Sequence, residues 1–418
     1  MAARQPAPRA LQPGDLASVV PAGGLTLVSS TSAESDLLGA EVAAAGAALG
    51  AMDFSGVFIP GLNTVAWDNG PQSRVTTFFQ TPDLRKRADR TRFLPLCYQD
   101  VLRFYRANPP SAALLMCSPP DAEGLCSFGT EVAFIAELWR DIPVRVAHIN
   151  PAMPRTPGDP GIPLAELTGW LEGEQPLRGM AGGGEPDAAT VSIAAHVAAF
   201  VPDGATLQTG LGKLPDAVLR ALTGHRSLRL HTGLIGDGVL DLIAAGTLAD
   251  GRSAVIGTAI GSPALYAALD APCFDFRPVS VTHGAAVLAG IERLVTINSA
   301  MEVDLYGQVH AEASSRGFQS GPGGASDYAR GARVSPGGLR IIALPAAAGA
   351  HSRIVGPGAG YGPVSLSRFD VDVIITEHGA ADLRFKDHHQ RAAALIAIAD
   401  PAHRDALAQA WQEVASTI

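Results

Sequence analysis

The stretch Gly204-Ala-Thr-Leu-Gln-Thr-Gly-Leu-Gly-Lys-Leu-Pro215 has the pattern of a strand, a glycine turn and a helix. Its apolar start predicts a buried strand over 204–208, and Pro215 suits the first turn of a helix predicted over 216–223. A buried strand that enters a helix through a short glycine turn is half of a βαβ unit. The stretch therefore indicates an α/β fold with a mainly parallel sheet.

The same alternation continues in both directions along the chain. Each further predicted strand is short, apolar and bounded by Gly, Pro, Asp or Ser: 25–28, 56–59, 112–116, 144–149, 228–231, 253–258, 294–297, 339–344 and 371–376. Helical spacing separates many of them, at 33–50, 130–140, 191–201 and from residue 391 onwards. The predicted fold class is α/β, with two open α/β domains built on mainly parallel sheets.

The division into domains follows from length and from one break in the pattern. A chain of 418 residues corresponds to two or three domains of about 150 residues each. The alternation lapses into Gly, Pro and charge over Arg178–Asp187, which makes this segment the best linker candidate. We therefore expect an N-terminal domain over 1–185 and a C-terminal domain over 186–418.

Composition excludes several classes of function. The chain carries 31 basic and 40 acidic side chains, and its only basic cluster is Arg85–Arg87, which argues against nucleic acid and an anionic membrane as partners. Four cysteines show no C-x-x-C spacing, so neither a zinc site nor a disulfide framework is expected. The most apolar helical run, 37–52, is too short to span a bilayer, and no apolar segment of the secretory type begins the chain. We expect a soluble, cytoplasmic protein without a metal.

The segment Thr209–Pro215, here called the first glycine loop, is a candidate anion-binding site. Bare backbone N–H groups at the start of a helix attract phosphate, and Lys213 is one of only three lysines in the chain. Pro215 stands at the third glycine position of a dinucleotide fingerprint, so that assignment fails. Two interpretations stay open: a cradle for phosphate or pantetheine, and a simple tight turn.

Other predicted strands also end in segments suited to ligands, because ligands bind at the carboxyl ends of strands in open α/β sheets. Ser118–Cys126 and Asn150–Pro157 are stiffened by proline. Ser320–Asp327, here called the second glycine loop, could approach a ligand or stabilise an oxyanion. Glu377 follows the last predicted strand, where it is either functional or ordinary polar surface.

Six segments, in their order along the chain, resemble the acetyl-CoA hydrolase / 4-hydroxybutyrate and acetate CoA-transferase family (family I CoA-transferase-like). They are Ser118-Pro-Pro-Asp121, Asn150-x-x-Met-Pro-Arg-Thr156, Gly210-Leu-Gly212, Ile297-Asn-Ser-Ala-Met-Glu-Val-Asp-Leu305, Gly323-Gly-x-x-Asp327 and Thr376-Glu-His-Gly-x-Ala381. The resemblance runs from about Phe78 to Arg404, which is most of the chain.

The resemblance implies a function and a set of site residues. The substrates would be an acyl-CoA and a small carboxylate, with no permanently bound cofactor, and the protein would form a homo-oligomer. The residues implied to bind CoA are Gly210, Leu211, Gly212, Lys213, Leu214, Asn298, Gly321, Gly323 and Gly324. Transferases of this family attack the thioester with a glutamate carboxylate, which forms an acyl-glutamyl anhydride and then a glutamyl-CoA thioester.

The chain departs from the family at that glutamate. The family motif reads His-Thr-Glu, whereas this chain reads His231-Thr232-Gly233, and the following Asp237-Gly238 still fits the pattern. Gly233 therefore marks the position of a lost nucleophile. A glycine has no side chain with which to form a covalent CoA thioester.

Three interpretations follow from this departure. In the first, a base such as Glu377, His231 or Asp237 activates water, or a bound carboxylate attacks the thioester directly. In the second, another carboxylate, Glu377 or Glu302, is the nucleophile. In the third, the protein binds CoA or a partner subunit without catalysis. The first is the expected function and the third is its alternative.

Overall fold

The computed structural model describes residues 8–180 and 184–416 of the chain. These residues form two compact units. The first contains residues 8–180 together with Val255–Thr282, and the second contains residues 184–254 and 283–416. Residues 181–183 of the predicted linker lie outside the described residues, and the boundary between 185 and 186 stays a prediction.

Strands and helices alternate along the described residues. The strands are β1 (Arg9–Ala10), β2 (Gly24–Val28), β3 (Met52–Gly56), β4 (Arg74–Thr77), β5 (Thr91–Phe93), β6 (Ala112–Cys117), β7 (Leu125–Cys126), β8 (Val144–Ile149), β9 (Ile162–Pro163), β10 (Gly169–Glu172), β11 (Thr206–Thr209), β12 (Arg229–Ile235), β13 (Ala254–Ala259), β14 (Phe274–Phe276), β15 (Leu294–Ser299), β16 (Glu302–Asp304), β17 (Val309–His310), β18 (Ala313–Ser314), β19 (Gly317–Phe318), β20 (Leu339–Ala343), β21 (Ala347–Ala348), β22 (His351–Ser352), β23 (Ile354–Val355), β24 (Val373–Thr376) and β25 (Gly379–Asp382). The α-helices are α1 (Leu16–Val19), α2 (Asp36–Ala45), α3 (Pro82–Lys86), α4 (Tyr98–Ala107), α5 (Ile135–Leu138), α6 (Ala188–Ala198), α7 (Lys213–Ala221), α8 (Gly238–Ala244), α9 (Pro263–Ala267), α10 (Val279–Thr282), α11 (Ala285–Ala289), α12 (Ala325–Val334), α13 (His388–Ile398) and α14 (Arg404–Ala415).

The first unit is built on a parallel sheet of eight strands in the order β1-β10-β8-β6-β2-β3-β4-β5. The strands predicted at 25–28, 112–116 and 144–149 are present as β2, β6 and β8. The prediction of a strand over 56–59 is wrong, because β3 ends at Gly56. Beyond that residue the N–H of Val57 donates to the Ser30 hydroxyl, 3.2 Å away, instead of continuing a strand ladder.

The second unit contains six strands of a sheet in the order β12-β11-β15-β20-β24-β25. All neighbouring pairs are parallel except β24 and β25, which form an antiparallel hairpin. The predicted α/β class with large parallel sheets is therefore confirmed. Because parallel strands share a direction, the carboxyl ends of β11, β12, β15 and β24 lie along one edge of this sheet.

Apolar side chains of helices pack against each sheet. In the first unit Leu38 of α2 and Phe54 of β3 are fully buried in one cluster. In the second, Ile374 of β24, Leu395 of α13 and Trp411 of α14 form another. Burial of each such side chain contributes about 1.5–3 kcal/mol, which fixes helices to sheets and holds the loops at the strand ends in place.

Several helices differ from their predicted ranges, among them α2, which spans Asp36–Ala45 within the predicted 33–50, and α6, which spans Ala188–Ala198 instead of 191–201. The helix after the first glycine loop begins at Lys213 instead of 216 and ends at Ala221, so that Pro215 lies within its first turn. The helix predicted over 130–140 is α5, only four residues long, followed by a single 3₁₀ turn. No helix in the described ranges combines the length and the apolar character needed to cross a bilayer.

Candidate functional site

The first glycine loop connects β11 to α7 in the second unit. Gly212 has φ +115° and occupies the N-cap position of α7, a conformation that suits glycine. Gly210, Leu211, Lys213 and Leu214 are half-buried, so the loop keeps an accessible surface.

Lys213 is paired with an acid at the start of another helix. Its ammonium group lies 3.1 Å from the Asp187 carboxylate. The pKa of Asp187 falls to about 2, mainly because its carboxylate accepts hydrogen bonds from Thr190 in the first turn of α6 and further because of Lys213. A phosphate at the loop would compete with this exposed ion pair for the lysine.

Two more predicted CoA contacts flank this edge of the sheet. Asn298 of β15 exchanges two hydrogen bonds with the Gln208 amide of β11, at 3.0 and 3.2 Å, which fixes the orientation of both amides. The second glycine loop leads into α12, with Gly324 at the N-cap position. Gly321 is buried, and Gly323 and Gly324 are half-buried.

Gly233 lies in β12, and a buried histidine fills the space beside it. A β-carbon built on Gly233 would be 2.6 Å from Cε1 and 2.8 Å from Nε2 of His283. The same ring edge faces Gly324, where a β-carbon would be 2.4 Å from Nε2. The imidazole of His283 therefore occupies the volume that a side chain at residue 233 would need, and it fits only because residues 233 and 324 are both glycine.

The environment of His283 keeps its imidazole neutral. The residue is 1% exposed and its ring packs on Tyr328, with the ring centroids 4.7 Å apart. Burial, with a smaller contribution from the nearby His231, lowers the pKa of His283 to about 3. Sequence reasoning missed this residue, because it lies 50 positions from Gly233 in a segment without a motif.

The three predicted bases lie at different places in the second unit. His231 is buried in β12 two residues before Gly233 and close enough to His283 to affect its titration. Asp237 is half-buried at the N-cap position of α8. The structure thus brings His231 together with Gly233, His283 and Gly324.

Glu377 lies in the two-residue turn between β24 and β25. Its carboxylate accepts a hydrogen bond of 2.8 Å from the N–H of Ala346. Four strand steps separate β24 from β12, which is about 19 Å at a spacing of about 4.8 Å per strand. Glu377 is therefore not a neighbour of Gly233.

Comparison with known proteins gives consistent matches. A family model described as the acetyl-CoA hydrolase/transferase C-terminal domain matches residues 261–411. The 4-hydroxybutyrate coenzyme A transferase of Clostridium kluyveri is 34% identical over 77% of this chain and 76% of its own length. The butyryl-CoA:acetate CoA-transferase of Anaerostipes caccae is 31% identical, with 77% of each chain covered.

Solved structures extend the likeness to nearly the whole chain. RipA from Yersinia pestis superposes with a TM-score of 0.89 at 27% identity, covering 97% of both chains. A 4-hydroxybutyrate CoA-transferase from Porphyromonas gingivalis has a TM-score of 0.79 at 28% identity, again covering 97% of each chain.

Proposed function

Since this chain belongs to the acetyl-CoA hydrolase and CoA-transferase family of enzymes, we propose that it processes acyl-CoA thioesters without forming a covalent glutamyl-CoA. The observation that carries the proposal is Gly233, together with the His283 imidazole beside it. At the position where the family places its nucleophile, this chain has no carboxylate, and a side chain there would require the His283 imidazole to move.

In this function the first glycine loop holds the CoA moiety, with Asn298 and the second glycine loop as further contacts. Backbone N–H groups of the second glycine loop stabilise the oxyanion that forms when the thioester carbonyl is attacked. The attacking group is water or a small carboxylate, activated or oriented by a base. His231, Asp237 and Glu377 are the bases proposed from the sequence, and His231 is the one that lies beside Gly233 and His283.

The proposed substrates are an acyl-CoA and a small carboxylic acid, the classes that the names of the relatives specify for those proteins. CoA acts as substrate, and no permanent cofactor or metal takes part. We also propose a cytoplasmic location and a homo-oligomer, the oligomer being implied by the family resemblance.

A second candidate function is non-catalytic binding of CoA or of a partner subunit. The burial of His283 favours it, because a ring that closes the nucleophile volume would also abolish a reaction that needs this volume. Under this function, CoA still binds to the first glycine loop with micromolar affinity but no thioester is consumed.

Release of free thiol separates these functions. Purified protein is incubated with acetyl-, propionyl- and butyryl-CoA, each with and without acetate, and free thiol and acetyl-CoA are measured. Thiol release without acceptor supports hydrolysis, and acetate-dependent exchange supports direct transfer. If neither reaction occurs but CoA binds measurably, the proposal is contradicted and the second candidate is supported.

A further inference from the structure

The first unit contains a pocket that the proposed function does not use. Its volume of ≈ 370 Å³ falls within the range of small-molecule sites, about 300–1,000 Å³. The pocket lies between α3, with the residues on either side of it, and the segment that connects β3 to β4. Every residue that lines it belongs to the first unit, so the pocket does not depend on the second.

The inner wall of this pocket is apolar and already in place. Four large apolar side chains line it and are each at most 6% exposed: Phe58, Trp67, Val75 and Leu84. All four belong to the buried cluster of the first unit that also contains Leu38 and Phe54. The wall is thus an extension of the core, and the hydrophobic effect favours a ligand whose apolar body covers it.

The segment that forms one side of the pocket is long and strained. Residues 57–73 connect β3 to β4 without a helix or a strand, and irregular connections longer than about 12–15 residues are uncommon and usually functional. Trp67 in this segment has φ +44°, which is unfavourable for a bulky residue, and its buried indole N–H has no hydrogen-bond partner among the described residues. Strain and unpaired polar groups of this kind are concentrated at functional sites, because stability alone does not favour them.

One side of the pocket carries an excess of positive charge. The Asp68 carboxylate pairs with two arginines, since it lies 2.9 Å from the Arg90 guanidinium and 3.5 Å from that of Arg87. Burial opposes the ionisation of Asp68, but hydrogen bonds from the Ser73 hydroxyl and the Gly70 N–H, with the charge of Arg90, outweigh it and lower the pKa of this carboxyl. Two cations therefore share one anion, and the three side chains have a net charge of +1.

Arg87 is the member of this group that can reach a ligand. Of the two arginines, only Arg87 lines the pocket, and its Nη2 donates to the Ala66 carbonyl at 2.9 Å, which holds the guanidinium beside the pocket. Lys86 also lines the pocket, but its exposed pair with Asp83 is neutral overall and contributes little. Both cations belong to Arg85–Arg87, the basic cluster of the sequence, to which the proposed function assigns no role.

We propose that this pocket binds a monocarboxylic acid with a bulky apolar body, whose carboxylate pairs with Arg87 and whose body covers the apolar wall. A single excess positive charge suits a monoanion, and the planar guanidinium group matches the planar carboxylate. The inference is independent of the proposed function, because the pocket shares no residue with the two glycine loops or with the surroundings of Gly233.

Calorimetric titration of the full chain with 2-naphthoate tests the inference, and its neutral analogue 2-naphthamide isolates the contribution of the carboxylate. The proteins are the wild type, Arg87→Gln, Arg103→Gln and Gly212→Ala. Arg103 is a matched control, since it also pairs with an aspartate of the first unit, Asp100 at 3.1 Å, but does not line the pocket. Gly212→Ala controls for binding at the first glycine loop. Thermal unfolding verifies that each variant is folded.

We expect the wild type to bind 2-naphthoate with a Kd below about 1 mM, and 2-naphthamide at least about tenfold more weakly. Arg87→Gln should raise the Kd for 2-naphthoate about tenfold, because it removes the excess positive charge and a charge-assisted hydrogen bond. Arg103→Gln and Gly212→Ala should leave that Kd within about threefold of the wild-type value.

Three results would overturn the inference. The first is a wild type that does not bind 2-naphthoate, or that binds the neutral amide equally well. The second is a Kd for 2-naphthoate that Arg87→Gln leaves unchanged. The third is an equal loss of binding in Arg103→Gln or Gly212→Ala, which would indicate a general effect of charge or binding at the first glycine loop. Consumption of acyl-CoA by the wild type tests the proposed function separately, so the two can fail independently.

Discussion

The glycine at residue 233 and the histidine at residue 283 form a pair. Gly233 and His283 are complementary, since the imidazole of His283 occupies the space that a larger side chain at residue 233 would need. We therefore expect Gly233→Glu alone to form no glutamyl-CoA, because the new side chain collides with His283. The backbone at Gly233 lacks a positive φ, so the obstacle is volume and not conformation.

The double variant Gly233→Glu/His283→Ala should behave differently. Removal of the ring opens the volume, and incubation with acetyl-CoA should give a glutamyl-CoA adduct that borohydride traps and mass spectrometry detects. His283→Ala alone is the control and should give none. An adduct in the Gly233→Glu single variant would contradict the steric role of His283.

The low pKa of His283 makes a prediction about stability. Below pH 6.5 the unfolded chain protonates this histidine and the folded protein does not, so stability falls as the pH falls toward the folded pKa of about 3. Between pH 6.5 and 5 the effect is about 2 kcal/mol at most, at about 1.4 kcal/mol per pH unit. The free energy of unfolding of His283→Asn should lack this dependence on pH. The difference in free energy of unfolding between the wild type and this variant should therefore narrow by about 2 kcal/mol as the pH falls from 6.5 to 5. A difference in free energy of unfolding that stays constant with pH would contradict a buried neutral imidazole at His283.

At the level of single residues, the sequence supports some site assignments and not others. Gly233 is identified by the motif around it, because its neighbours His231 and Asp237 keep their spacing. His283 belongs to no motif, and it lies beside Gly233 only because the folded chain brings together two residues that are 50 positions apart. Such contacts depend on packing, which residue spacing does not encode.

At the level of elements, the first glycine loop can be tested directly. Gly212→Ala places a side chain at φ +115°, which should force the loop to rearrange and raise the Kd for CoA about tenfold. Gly246→Ala is the matched control, since Gly246 also has a positive φ and free space around it but lies beyond the end of α8. Titration calorimetry with CoA measures both. An unchanged Kd for Gly212→Ala would argue that the loop is only a tight turn.

The predictability of elements follows their local signals. The strands β2, β6 and β8 are predicted nearly to the residue, because each is a short apolar run between breakers. β3 is misplaced, since the apolar residues after Gly56 continue the pattern while a hydrogen bond to Ser30 ends the ladder. α7 starts three residues early because Gly212 caps it, and glycine at an N-cap resembles glycine in any turn.

For the whole molecule, sequence patterns predict two α/β halves, and the structure has two α/β units. They do not predict that Val255–Thr282 packs with the first unit. The N–H groups of Val132 and Ala133 donate to the carbonyl of Gly257, at 3.0 and 3.1 Å, and these bonds join segments more than 120 residues apart. Only the folded chain shows such pairings.

We propose that thioester chemistry proceeds in this protein without a covalent enzyme–CoA intermediate. Intact-protein mass spectrometry during turnover of acetyl-CoA, with free thiol measured in the same sample, tests it most directly. We predict release of thiol while the protein mass stays that of the unmodified chain. Accumulation of a CoA adduct on the protein, or no consumption of acyl-CoA either with or without an added carboxylate, would contradict this proposal.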